Sequence, residues 1–175
     1  YDAIVVGTEN SISGGDFNFI GGGSGVDIQY SDYSSSVGGY DNDITGSNYA
    51  IIGGGFSNKI ETAAGSFIGG GELNNIYSID SVICGGADNK ISGAGLSFIG
   101  GGESNQVYSE FGVVLGGENN IVSGGSSVIL GSEASITSGD YSSIMGRRGK
   151  IPASDTGASV FADGQNRDHI SRGAH

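Results

Sequence analysis

The chain has 175 residues, 36 of them glycine and one proline, with 36 % apolar residues and a formal net charge of −12. So few apolar residues exclude an ordinary globule that fills its own core, and their regular recurrence excludes disorder. The acidic excess excludes nucleic acid as a partner and insertion into an anionic membrane.

A repeat architecture remains, in which neighbouring units share one core. The charge is uneven: through Met145 only Lys59 and Lys90 are basic, whereas Arg147, Arg148, Lys150, Arg167 and Arg172 crowd the last segment. A solvated outer surface accounts for the acids. Cys84 is the only cysteine, which excludes a disulfide framework and a multi-cysteine metal site. It stands where other units carry Ile, Leu or Met, so it reads as core. No stretch has the composition of a membrane-crossing helix. The chain opens on Tyr1 and its last residues read as a connector into further sequence, so the absence of a targeting segment assigns no compartment.

In chain order, the first glycine after each apolar run falls at Gly7, Gly21, Gly38, Gly53, Gly69, Gly85, Gly100, Gly116, Gly131 and Gly146. A second apolar anchor follows each, at Ile12, Ile28, Ile44, Ile60, Ile76, Ile91, Val107, Ile121, Ile136 and Ile151. Steps of 14 to 16 residues between these anchors define ten units over residues 1–151. Each unit has two β-branched or aromatic segments separated by Gly, Ser, Asn and Asp, which is strand and turn chemistry. No helical period is sustained. The prediction is an all-β parallel solenoid of about ten two-strand coils. Stacked at about 4.8 Å, these coils make a rod roughly 45–50 Å long.

Within the first strand, the column Val5, Phe19, Ser36, Ile51, Phe67, Ile83, Phe98, Val114, Ile129 and Ile144 precedes a second apolar column that ends at the glycines. Adjacent strand residues face opposite ways, so both faces of this strand are apolar. A thin coil has room for only one of them. The outward column, with Val5, Phe19, Ile51, Phe67, Ile83, Phe98, Val114, Ile129 and Ile144 in it, is therefore assigned to a homo-oligomer interface. The second strand, as in Asn58-Lys59-Ile60-Glu61, buries one residue and gives the others to water.

Two residues before the second anchor lie Asn10, Asn42, Asn58, Asn74, Asn89, Asn105 and Asn119. Stacked in register, they form a structural ladder that bonds coil to coil. The repeated triple glycines have no following helix and no Lys-Ser/Thr, so they are turns and not phosphate cradles. At the tenth unit Arg147, Arg148 and Lys150 replace the usual acid and asparagine. Pro152 follows, where the regular roll is expected to end. Ser159-Val160-Phe161-Ala162 can still form one strand, and residues 152–175 read as a connector or cap.

The chemistry is sparse. An acid recurs past the glycines at Glu9, Asp41, Glu72, Asp88, Glu103, Glu118 and Glu133. Neighbouring charges at coil spacing repel by only about 0.9 kcal/mol in water, so solvation suffices and no dedicated calcium site is expected. Gly22-Gly23-Ser24-Gly25-Val26-Asp27 nearly meets a calcium nonapeptide, then fails at Gln29 and does not recur. His169 and His175 are the only histidines, both beyond the repeats, and no catalytic constellation can be assembled from them. The five threonines form no column of the kind an ice-binding face needs. The expectation is a non-enzyme without cofactor or metal.

The phrase Ser66-Phe67-Ile68-Gly69-Gly70 … Asn74-Asn75-Ile76, and Ser127-Val128-Ile129-Leu130-Gly131 … Ser135-Ile136, resembles the head repeats of trimeric autotransporter adhesins and their relatives in phage tail fibres and tail spikes. The likeness covers residues 1–151. It implies a left-handed parallel β-roll assembled as a homotrimer, and no functional residue, because the motif is architectural. Ile and Phe where adhesin heads favour Ala and Val, and the triple glycines, are closer to the viral versions. Ser159-Val160-Phe161-Ala162-Asp163-Gly164-Gln165-Asn166 also resembles the region after such repeats in phage fibres. The reading implied is a shaft or head of a homotrimeric host-attachment fibre, extracellular and on a virion, meeting a host-surface glycan or protein receptor. The alternatives are the head of a bacterial surface adhesin and a fibre-borne glycan depolymerase.

Overall fold

The computed structural model describes residues 1–93, 95–162, 169 and 170. Among them there is no helix, and the chain winds as a parallel β-solenoid of about ten turns. One sheet stacks eleven strands from Ala3–Ile4 through Phe67–Ile68 to Ser159–Phe161. A second stacks eleven from Ser11–Ser13 through Asn75–Ile76 to His169–Ile170. All pairings are parallel between successive coils. Phe67, for example, lies between Ile51 and Val82, and Ile68 between Ile52 and Ile83.

The strands are only two or three residues long. A third, narrower ladder takes up the rest of each coil. It links Thr8, Ser24, Tyr40, Phe56, Glu72, Ala87, Glu103 and Glu118 by single bridges and continues with Gly117–Glu118 against Ser132–Glu133. A coil of this length therefore has three contact sides where two were expected. The turns that make room for the third are tight. Their residues sit at positive φ, as at Leu73 (56°) and Asp88 (52°).

The core is a double row of aliphatic side chains. Ile20, Ile52, Ile68, Ile83, Ile99, Val114, Ile129 and Ile144 come from the first sheet. Ile28, Ile44, Ile60, Ile76, Ile91, Val107, Val122 and Ile151 come from the second. One residue per strand is thus enclosed, and coils above and below close each pair. This is how so low an apolar content still makes a dry interior.

Both sheets gain a strand beyond Pro152, so stacking does not stop there. The proline follows strand Gly149–Ile151, and the bond beneath it, from Ser138 N–H to the Ile151 carbonyl, is kept at 2.8 Å. What the proline removes is a donor toward the next coil. Ser159–Phe161 pairs with Ser143–Met145, as expected of that segment. The rest of the connector, residues 163–168 and 171–175 with His175 among them, lies outside the described residues.

Candidate functional site

Winding three ladders around one core leaves outward columns that run the length of the rod. The first sheet's outer face is largely apolar, interrupted by Ser35, Ser143 and Ser159. Val5, Phe19, Ile51 and Phe67 are exposed on it and Phe98 is half-buried, as the sequence predicts. Ile83, Val114, Ile129 and Ile144 are a correction: all four are fully buried in the core.

The register explains the slip. In coils with three glycines the residue before the first glycine points inward. In the others a bulky residue replaces that glycine, and counting back from the next one shifts the assignment by one place. A one-residue shift exchanges the two faces of a strand. The outward pairs in those coils are Val82 and Cys84, Val113 and Leu115, Val128 and Leu130, and Ser143 and Met145. Cys84 is thus exposed on this face and not in the core, a second correction.

In several strands the two outward positions trade volume. Where the first is Phe19, Phe67 or Phe98, the second is glycine. A methyl group on Gly21, Gly69 or Gly100 would meet the next coil's Val37, Cys84 or Leu115 carbonyl oxygen at 2.4, 2.2 or 2.3 Å, and would stand at 3.3, 3.5 or 3.4 Å from its own coil's ring. Where the first is small, as Ser35 or Ser143, the second is Val37 or Met145. Most coils therefore present one large apolar group, while Val113 with Leu115 and Val128 with Leu130 present two, so the face is largely apolar but uneven along the rod.

The asparagine ladder is present and buried. Asn74 shows its wiring. Nδ2 donates to the carbonyls of Gly70 (3.0 Å) and Gly86 (2.9 Å), and Oδ1 accepts the N–H of Asn89 (3.1 Å). Asn42, Asn58, Asn89 and Asn105 repeat the pattern, and Asn10 opens it half-buried. Asn119 does not belong to it. It sits at φ 57°, exposed, and the ladder residue of that coil is Asn120, whose N–H reaches Asn105 Oδ1 at 3.1 Å. The ladder needs its glycines: a methyl group on Gly71 would meet the Gly86 carbonyl oxygen at 2.1 Å and Asn74 Nδ2 at 2.8 Å.

A serine ladder, not predicted from the sequence, runs on the opposite side. Ser97 Oγ accepts the N–H of Gly112 (3.2 Å) and donates to the Ser109 carbonyl (2.8 Å), and Ser34, Ser66 and Ser127 do the same in their coils. Its signal was the serine that opens the phrases at Ser66, Ser97 and Ser127. These two ladders satisfy the buried turn amides that neither sheet reaches.

The recurring acids split over two adjacent columns. Glu72, Glu103, Glu118 and Glu133 stand on the third ladder, while Glu9, Asp41 and Asp88 occupy the positive-φ corner beside it. Asp41 accepts the Ser57 hydroxyl at 3.0 Å, and Glu133 pairs with Arg147. Among the described residues no three acidic, histidine or cysteine side chains converge as metal ligands. On the second sheet's polar face, Lys59 lies between Glu61 (3.1 Å) and Asp43 (3.6 Å). The hydrogen bond to Glu61 holds its ammonium above the usual 10.5, against partial burial acting the other way.

No family model and no curated protein matches the chain.

Proposed function

We propose that this chain is a shaft or head segment of a homotrimeric host-attachment fibre of a phage, extracellular on the virion. It would position or contribute to the surface that meets a host glycan or protein. The observation that supports this is the largely apolar outer face of the first sheet. At about 4.8 Å per coil and a strip ~10 Å wide, it spans roughly 500 Å², near the top of what a monomer leaves uncovered. A second copy of the same chain, in parallel, presents the same apolar face along the same length, which suits closed cyclic symmetry. The count of three, the left-handed winding and the fibre setting rest on the likeness of the repeats to adhesin-head and tail-fibre sequences.

The test is mass in solution. Sedimentation equilibrium should report three times the 17.5 kDa of the chain. Phe67→Asp with Phe98→Asp should reduce it to the single-chain value, because each carboxylate would be buried without a partner. A monomeric wild type, or a double variant that keeps the assembled mass, overturns the reading.

A further inference from the structure

The corner by which the chain leaves the polar sheet for the apolar one carries a second repetitive device. Its positive-φ position holds Phe17 (62°), Tyr33 (55°) and Tyr49 (59°) in three successive coils. Their rings lie stacked, 4.9 and 5.3 Å apart and within 3° and 4° of parallel. Coil spacing thus equals ring-stacking spacing, and three neighbouring rings leave nothing between them.

Farther along the same corner the sequence reads Phe111, Ser126, Tyr141, at φ 54°, 52° and 54°. The outer two are rings and the middle one is not. Two coils separate the Phe111 and Tyr141 positions by about 9.6 Å, so the absent ring leaves room for one ring between them. The structure has a cavity there of about 180 Å³, lined by Glu110, Phe111, Gly125, Ser126, Asp140 and Tyr141. Ser126, at the position of the missing ring, and Gly125 belong to its lining. The Gly125 N–H donates to Asp140 Oδ1 at 2.7 Å and fixes that carboxylate at the rim. Both acids and both rings are exposed, and no basic side chain lines the cavity.

We propose that this slot binds a compact organic cation, a guanidinium or an alkylammonium group. A group seated midway lies about 4.8 Å from each ring, inside the roughly 6 Å over which a cation is drawn to a π face. The lining of the slot favours positive charge: two aromatic rings and two carboxylates. An anion is repelled, and a neutral sugar ring gains stacking and hydrogen bonds but none of the charge term. The chain's net −12 adds a long-range attraction of the same sign. The proposal does not depend on the fibre reading, since all lining residues come from one chain.

The test is an NMR titration of the full chain, following the Phe111 and Tyr141 ring signals with Tyr33 as internal reference. The probes are Nα-acetyl-arginine amide, choline and, as the neutral ring, methyl glucoside. The expected result is saturable shifts at Phe111 and Tyr141 with at least one cation, weakened by added salt, and at least tenfold weaker binding of methyl glucoside. Arginine amide alone points to a basic side chain as the natural occupant, and choline alone to a quaternary headgroup. Ser126→Tyr adds the missing ring at a backbone angle Tyr33 already adopts, and should abolish binding. Asp140→Asn keeps an acceptor for Gly125 and, with Glu110→Gln, should weaken cation binding at least fivefold even if the tyrosine variant fails to fold. No saturable shift with either cation, undiminished binding by a folded Ser126→Tyr, carboxamide variants that bind as wild type does, or methyl glucoside binding as tightly as the cations, overturns the proposal.

Discussion

Removing one rung of the asparagine ladder tests whether these side chains hold the coils together. In Asn74→Ala the buried Asn89 N–H loses its acceptor, and the Gly70 carbonyl loses its asparagine donor. The Gly86 carbonyl keeps the Glu72 N–H at 2.9 Å, and Asn58 Oδ1 keeps the backbone N–H of residue 74 at 3.0 Å. Orphaning a buried donor costs about 1–3 kcal/mol, so with the other bonds lost, those to the Gly70 and Gly86 carbonyls, to Asn58 Oδ1 and from Asn89 Nδ2, the change should cost about 2–4 kcal/mol. For a chain of this length that is a fall in Tm of roughly 5–12 °C. The matched control is Asn75→Ala. Asn75 is half-buried and donates only to the Leu73 carbonyl, at 2.8 Å, so its loss should cost less than about 1 kcal/mol. Thermal denaturation by circular dichroism, at one protein concentration for all variants, reads both. If Asn74→Ala melts within about 2 °C of Asn75→Ala, the ladder is not a stabilising element and the argument fails.

Gly71→Ala should be the more damaging glycine change, costing more than about 3 kcal/mol by urea denaturation, because its methyl meets a backbone oxygen at 2.1 Å. Gly157→Ala, at φ 73° with open space around it, should cost only about 1 kcal/mol. Cys84 should react slowly with a thiol reagent in the assembled protein and rapidly in the Phe67→Asp, Phe98→Asp variant; equal rates would show that the face is not covered. Lys59 should titrate above 10.5 by NMR and fall back toward that value in Glu61→Gln. Because its pKa is raised on folding, the pair's contribution is present below 10.5 and lost as pH climbs through the higher folded value. That contribution is small for so exposed a pair.

The period, the parallel stacking and the existence of an asparagine ladder were legible in the amino-acid order, because all three depend only on what recurs. A unit of 14 to 16 residues with two apolar anchors and no helical period leaves little but a solenoid. The face a residue takes is harder, since it turns on a single place of register. Asn119 and Asn120 are adjacent and chemically identical, yet one occupies a left-handed corner and the other a buried rung. Ile83, Val114, Ile129 and Ile144 show the same slip, and Cys84 follows from it.

Sequence by itself therefore determined a stack, its repeat length, its acidic exterior and its dependence on a row of buried amides. Tertiary structure alone decided which side chains look outward, that a third ladder and a serine column complete each turn, and that a missing aromatic opens a slot between Phe111 and Tyr141. The reason is physical. Recurrence is a property of the chain, whereas facing and spacing depend on how each coil meets the next, where one residue of register exchanges inside for outside.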